Sequence, residues 1–328
     1  MNAIVIVCTA AVILAAAAFL ALELLRRTPQ GKLDIPVAFA RKLFNAAGMD
    51  SSEPLPTLRA GFVKKALRFH GKLPPMVRIR GTTVPADDHE IPVRIYTPSE
   101  QVPRPVVLYF HGGGIVLGSI GTHENVCRHI ARESDRLVIS VEYRLAPEHA
   151  FPAALEDCFA VLLWVSRNAP LVGGRVDDIA VAGDSAGGTL AAALCLLTRD
   201  RGGPRISGQV FILDSSEMAW FRAQYLPDSR DYLNPYASPL LAESLRGVPP
   251  ALILTAEFDV LRDEGRSFAD RLRDAGVPVV YSCTPGVPHG YLSGTRFLKR
   301  RTRHDFGLIA GFLRGLAGER LARGQPTG

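Results

Sequence analysis

The sequence has few cysteines and no close cysteine pair. Five cysteines are spread through 328 residues at wide, irregular spacings, with no C-x-x-C motif and no histidines at zinc-ligand spacing. This pattern is weak evidence against a disulfide-built secreted fold and against a structural zinc site. The formal net charge is only +6, and the basic residues are not interleaved with aromatic ones. We therefore predict no nucleic-acid partner.

One long run without charge lies at the N-terminus. Residues 3–22 carry no charged side chain, and about twenty apolar residues suffice for a helix to cross a bilayer. We expect residues 1–27 to be a single-pass membrane anchor, so that the protein is membrane-associated. Arg26, Arg27 and Lys32 favour a cytoplasmic catalytic domain, although one helix leaves the side of the membrane open. A cleaved signal segment and a buried helix are the alternatives.

The rest of the chain, residues 28–328, is long enough for one catalytic α/β domain. Two β-branched runs predict paired edge strands, and after them apolar runs of strand length alternate with helical segments, which is typical of a mostly parallel sheet flanked by helices. Helix-like spacing within about 33–75 and an irregular Pro- and Tyr-rich segment at 215–248 predict a cap over the site. The later predicted strands are PVVLYF, RLVISVEY, DIAVAG, GQVFILD, PALILTAEFD and VPVVYSCTP, and the predicted helices cover 153–168, 186–199 and 263–275.

Gly183-Asp184-Ser185-Ala186-Gly187 fits the nucleophile-elbow motif G-x-S-x-G. A predicted strand precedes it and a predicted helix follows it, which is the context that the motif requires. The small residues on either side relieve crowding in a sharp turn, so the Ser185 hydroxyl should project above the sheet. A chance glycine turn is the alternative, and the partners of the serine must decide between them.

A second glycine motif follows the strand PVVLYF. His111-Gly112-Gly113-Gly114 stands at the carboxyl end of that strand, where ligands of α/β sheets bind. Consecutive glycines allow several N–H groups to face one point, as in an oxyanion hole, and the N–H of Ala186 at the start of the next helix would be a further donor.

A base and an acid follow in the chain order expected of this motif. His289 lies on a loop after the last predicted strand, and Asp259 ends the strand before it, so Ser185, Asp259 and His289 form a candidate triad. Asp214, at the end of another strand, is a rival for the acid. Asp263 and Glu264 follow Asp259 closely but should begin a helix, where carboxylates serve as caps.

Other polar residues near these motifs are expected to be structural. Asp184 should form hydrogen bonds that hold the neighbouring loop. We expect an ion-paired supporting loop from the charged and aromatic residues of YRLAPEHAFPAALED, namely Tyr143, Arg144, Glu148 and Asp157.

Five motifs, HGGG, YRLAPEHAFPAALED, GDSAGG, EFDVLRDEG and PHGY, occur in this order, and with them residues 77–315 resemble the hormone-sensitive lipase family of α/β-hydrolases, which includes bacterial carboxylesterases and arylacetamide deacetylases. The resemblance implies the α/β-hydrolase fold with a helical cap, the triad Ser185, Asp259 and His289, and an oxyanion hole from Gly112, Gly113 and Ala186. Val260 and Thr189 stand where the family often has Pro and Asn, which bears on substrate fit.

The expected function is a serine carboxylesterase that hydrolyses short- to medium-chain esters through an acyl-enzyme intermediate. The partner is a small-molecule ester, and this chemistry needs no metal or organic cofactor. An amidase or deacetylase, a lipase, and a non-catalytic ligand-binding member similar to the plant gibberellin receptors are the alternatives. The sequence leaves the acyl and alcohol preference and the oligomeric state open.

Overall fold

The computed structural model describes residues 3–28, 31–35, 38, 51–212, 218–259 and 261–322. The predicted rival acid Asp214 and the unusual Val260 lie outside these residues, as does most of the first helix predicted within 33–75.

Eight strands form one sheet in the order β8-β7-β6-β5-β3-β4-β2-β1. The pairs β1/β2 and β2/β4 are antiparallel, and every other neighbouring pair is parallel. This confirms the predicted mostly parallel sheet with an antiparallel edge. The strands are β1 (Arg78–Pro85), β2 (Glu90–Thr97), β3 (Arg104–Phe110), β4 (Leu137–Val141), β5 (Gly174–Asp184), β6 (Gly208–Ile212), β7 (Ala251–Phe258) and β8 (Val279–Pro288).

Helices cover both faces of the sheet, which explains why its central strands are continuous apolar runs. In β3, Leu108 and Phe110 belong to the core cluster of one face, whereas Val107 and Tyr109 belong to that of the other. The helices are α1 (Ala3–Arg26), α2 (Leu55–Phe69), α3 (Glu124–Ser134), α4 (Ala153–Asn168), α5 (Ala186–Asp200), α6 (Met218–Tyr225), α7 (Arg262–Asp274) and α8 (Lys299–Ala322).

Each face has its own helices. Buried side chains of α4, α5 and α7 belong to the cluster that contains Leu108, and buried side chains of α3 and α8 belong to the cluster that contains Val107. The sheet is therefore the middle layer of three, with helices packed on both of its faces.

The N-terminal segment corrects one prediction. Helix α1 ends in ion pairs from Glu23 to Arg26 (2.8 Å) and to Lys32 (2.7 Å). Across the part of the chain that the structure describes, no helix is both long and apolar enough to cross a membrane. The predicted membrane anchor and membrane-associated localisation are therefore wrong. The prediction counted only the charge-free run at 3–22, whereas α1 continues beyond it to Arg26 and ends in charged residues that pair with one another and with Lys32.

Two described segments lie near the glycine loop, within the ranges predicted to form a cap. Helix α2 is held by Arg59, whose guanidinium donates to the carbonyls of Val116 (2.9 Å) and Ala146 (3.1 Å). Helix α6 is linked to the loop before α4, because Phe151 donates its N–H to Tyr225 O (2.9 Å).

Candidate active site

Ser185 occupies a strained turn between β5 and α5. Its backbone has φ 52° and ψ −126°, a conformation that L-residues rarely adopt, and its N–H donates to Ile212 O of the neighbouring strand at 2.6 Å. A Cβ on Gly183 would lie 2.2 Å from Gly187 O, and one on Gly187 would lie 2.0 Å from Phe110 O. Both glycines of the motif are thus required by close backbone approach, as expected of a nucleophile elbow.

The glycine loop follows β3 directly. Gly113 and Gly114 have φ of +118° and +66°, and the loop closes through a hydrogen bond from Leu117 N to Gly113 O (2.8 Å). A Cβ on Gly114 would lie 2.1 Å from the Phe221 ring of α6. The left-handed backbone and this contact explain why the loop needs glycines at both positions.

Asp259 and His289 each follow the last residue of a parallel strand. The His289 Nδ1 lies 3.7 Å from Asp259 Oδ1, and the Asp259 side chain has no exposed surface. The same carboxylate accepts the N–H of Leu261 at 2.9 Å, which fixes its orientation at the start of α7. Because β5, β7 and β8 are parallel members of one sheet, Ser185, Asp259 and His289 all lie at its carboxyl edge.

Burial keeps the ring of His289 in its neutral form. Burial lowers the pKa of its ring to about 3, and the charge of Asp184 opposes that shift. The imidazole is therefore neutral at neutral pH and has a lone pair with which to accept a proton.

Asp184 connects the elbow to the glycine loop. Its Oδ1 accepts hydrogen bonds from Tyr109 OH (2.5 Å) and Gly112 N (3.0 Å), and its Oδ2 lies 3.0 Å from His123 Nε2. The prediction that Asp184 holds the neighbouring loop is confirmed by the bond to Gly112. The N–H of Gly112, predicted as an oxyanion donor, is engaged by this carboxylate.

The contact between Asp184 and His123 favours the charged form of both groups. Burial alone would raise the pKa of Asp184, but His123 outweighs it through its charge and hydrogen bond, so that the pKa is lowered. Burial likewise opposes protonation of His123, and the Asp184 charge and hydrogen bond raise its pKa nonetheless. No role was assigned to His123 from the sequence, because His123 and Asp184 are sixty-one residues apart and no local motif links them.

The predicted supporting loop is ion-paired. Arg144 Nη2 lies 2.8 Å from the buried Asp157, which also contacts His89 Nε2 at 2.9 Å. Tyr143 donates its hydroxyl to His111 O at 2.6 Å and stacks on the His111 ring. The contacts of Tyr143 hold His111, the first residue of the glycine motif.

The other predicted acids are placed differently. Asp263 forms an exposed ion pair with Arg262 at 2.9 Å, and Glu264 is exposed in the first turn of α7. Within the described ranges, no group of three or more potential metal ligands is gathered.

Comparison with known proteins supports this geometry. A family model described as an alpha/beta hydrolase fold matches residues 107–214 and 211–293. The chain is 41% identical to the carboxylic ester hydrolase LipN of Mycobacterium tuberculosis over 66% of this chain and 65% of that protein. It is 37% identical to an arylesterase of Saccharolobus solfataricus over 70% of this chain and 81% of the relative.

Solved structures agree. An esterase of Pyrobaculum calidifontis superposes with a TM-score of 0.79 and 38% identity, covering 85% of this chain and 96% of the other. The predicted fold and the predicted carboxylic ester hydrolase class are thereby confirmed. The chain belongs to the hormone-sensitive lipase-like family of α/β-hydrolases.

Proposed function

We propose that this protein is a serine carboxylesterase that hydrolyses short- to medium-chain esters, with Ser185 as the nucleophile, His289 as the general base and Asp259 as the group that orients His289. One observation carries the proposal: the strained elbow at Ser185 lies at the same sheet edge as a neutral imidazole beside a buried carboxylate. The esterase names of the relatives support the same class of reaction.

The chemistry proceeds in two halves. Ser185 Oγ attacks the ester carbonyl while His289 accepts its proton, and Asp259 stabilises the imidazolium that forms. The tetrahedral intermediate collapses, the alcohol leaves with the proton from His289, and the acyl group remains on Ser185. Water, deprotonated by His289, then attacks the acyl-enzyme and releases the carboxylic acid and free Ser185. Side chains, backbone and water supply every group in this cycle.

We assign the oxyanion hole to the N–H groups of Gly113 and Ala186, each worth roughly 3 kcal/mol in the transition state. The N–H of Gly112 is proposed as a third donor to the oxyanion. Its N–H donates to Asp184 in this structure, so it would have to leave that carboxylate to bind the oxyanion directly.

The preference for short or medium acyl groups is supported by two aromatic side chains of α6, within the proposed cap segment 215–248; the other proposed cap segment is 33–75. The Phe221 ring packs on Gly114, and Trp220 packs edge-to-face on Phe221 at 5.1 Å. Bulky rings this close to the glycine loop leave little width for a long chain. Phe221→Ala should therefore raise activity on longer esters relative to acetate.

The direct test is hydrolysis of p-nitrophenyl esters from C2 to C12 by the full chain, with Ser185→Ala as the control. We expect the highest kcat/KM at the short end and a loss of at least about 1,000-fold in the control. A fluorophosphonate probe should label the wild type and not Ser185→Ala. Absence of both hydrolysis and labelling would contradict the proposal and favour a ligand-binding role, and faster cleavage of p-nitroacetanilide than of the acetate ester would favour an amidase.

A further inference from the structure

His289 follows an irregular end of β8. The strand pairs regularly with β7 from Val279 to Thr284, and the next paired residue is Pro288, so residues 285–287 leave the ladder. Gly286, within this bulge, has φ +76°. The position of His289, one residue beyond Pro288, therefore depends on what holds the bulge.

The two backbone groups of Gly286 find partners outside the ladder. Its N–H donates to Glu257 Oε2 at 2.7 Å, and its carbonyl accepts the N–H of Asp34 at 3.0 Å. Glu257 belongs to β7, two residues before Asp259, so the same strand end holds both the acid and the bulge. A buried backbone group without a partner would be costly, and these two bonds satisfy the groups that the bulge releases.

Asp34 is itself held in place. Arg301 of α8 donates to its carboxylate from Nε at 2.9 Å and from Nη2 at 3.3 Å. The preceding Leu33 is 3% exposed and lies in the same core cluster as Val287. Asp34 also fits closely against the bulge, because a Cβ on Gly286 would lie 2.5 Å from Asp34 Oδ1.

We propose that Asp34, Glu257 and Arg301 are positioning residues for catalysis: they clamp the bulge at Gly286 and so set the placement of the His289 ring beside Asp259. Gly286 is bonded by Asp34 of the N-terminal segment and by Glu257 of β7, and Arg301 of α8 holds Asp34 in place. Asp34 and Arg301 lie outside the residues 107–293 matched by the family model, so this clamp includes parts of the chain that the family match does not cover. The inference rests on the proposed function, in which His289 is the base.

The clamp is tested in the full chain by Asp34→Ala, Arg301→Ala and Glu257→Ala, with Arg300→Ala as the matched control, since Arg300 is exposed and adjacent on α8. Because a displacement of about 1 Å at a reacting group can cost up to about 100-fold, we expect kcat for p-nitrophenyl acetate to fall about 5- to 20-fold in each clamp variant. KM should stay within about twofold, because the ester-binding surface is untouched.

Two further variants separate positioning from stability. Glu257→Gln retains an amide oxygen that accepts the Gly286 N–H, so it should recover most of the kcat that Glu257→Ala loses. The double variant Asp34→Ala/Arg301→Ala should be no slower than either single variant, because both act through one contact. All rates are divided by the concentration of folded enzyme, measured by fluorophosphonate titration and circular dichroism.

The outcomes are distinct. A kcat in the clamp variants equal to that of Arg300→Ala, or losses that vanish after normalisation to folded enzyme, would overturn the clamp while leaving the esterase proposal intact. A wild type that does not hydrolyse the ester would overturn the proposed function, and the clamp with it. A loss of kcat at constant KM, restored by Glu257→Gln, supports the clamp.

Discussion

Strand β5 carries two ion-paired carboxylates, the buried Asp178 and the half-buried Asp184 at its last position, and the two have different partners. Asp178, just before the regular pairing of β5 with β3 begins at Ile179, accepts both Nη1 (2.9 Å) and Nη2 (3.1 Å) of Arg136, whose Nη2 also donates to Leu313 O of α8. At the end of β5, Asp184 pairs with His123 and binds the N–H of Gly112. The first pair joins a strand to a helix, whereas the second joins the elbow to the glycine loop.

The difference shows that burial of an ion pair does not by itself identify function. Arg136 and Asp178 are 2% and 1% exposed and lie at the amino end of the parallel strands, where they tie α8 to the sheet. Asp184 lies at the carboxyl end, beside Ser185, where its partners are a titratable ring and a backbone donor. The position along the strand, and the chemistry of the partner, distinguish a structural pair from one that shapes the site.

The largest expected effect is on stability, at the structural pair. Arg136→Ala leaves the Asp178 carboxylate buried without its cation, so the free energy of unfolding should fall by about 3–5 kcal/mol. Urea unfolding followed by circular dichroism measures this free energy. We expect kcat per folded molecule to stay unchanged. If Arg136→Ala instead lowered kcat per folded molecule and left the free energy of unfolding unchanged, the Arg136–Asp178 pair would act on catalysis and not on stability.

The next effect is on catalysis, at the Asp184 pair. Asp184→Asn removes the charge that holds His123 and weakens the contact with Gly112, so kcat/KM should fall about 10- to 100-fold, or about 1.4–2.7 kcal/mol. Asp178→Asn, in the same strand, is the matched control and should keep its kcat/KM per folded molecule. An equal fall in kcat/KM in Asp184→Asn and Asp178→Asn would show that the two ion pairs do not differ in their effect on catalysis.

A smaller effect is the pH dependence of stability. Asp184 has a lowered pKa in the folded state, so its contribution is present above about pH 3.8 and is lost as the pH falls through the folded value. His123 has a raised pKa, so its contribution is complete below about pH 6.5 and is lost as the pH rises through the folded value.

The Asp184–His123 pair should therefore stabilise the fold most between these limits and less at pH 9. Urea unfolding of the wild type and of Asp184→Asn at pH 5.5, 7 and 9 measures it. The variant should lose the alkaline decline that the pair causes. A guanidinium keeps its charge over this range, so Asp178→Asn should retain that decline.

The smallest effect is expected at an exposed pair of the proposed cap. Asp228 and Arg230 form an ion pair in which the Arg230 side chain is 88% exposed. Such pairs contribute little, so Arg230→Ala should change the melting temperature and kcat/KM by no more than measurement error. A clear fall in kcat/KM would show that this segment of the cap contacts the substrate.

Local patterns in the sequence were enough to predict much of this protein. The strands of the sheet, the elbow at Ser185 and the glycine loop after β3 were predictable because apolar runs and glycine motifs act over a few neighbouring residues. The charge-free run at 3–22 is also a local pattern, but it led to the wrong prediction of a membrane anchor. The length and apolarity of the helix were inferred from that run alone.

Tertiary structure alone decided which distant groups meet. The Asp184–His123 pair, the Arg136–Asp178 pair and the bonds from Asp34 and Glu257 to Gly286 join residues far apart in the chain. No periodicity encodes such contacts, because they arise where the strand ends of one sheet and the segments packed on it converge. The sequence determined that the elbow at Ser185 and the glycine loop would stand at strand ends, and the packing of the whole chain decided which groups hold them together.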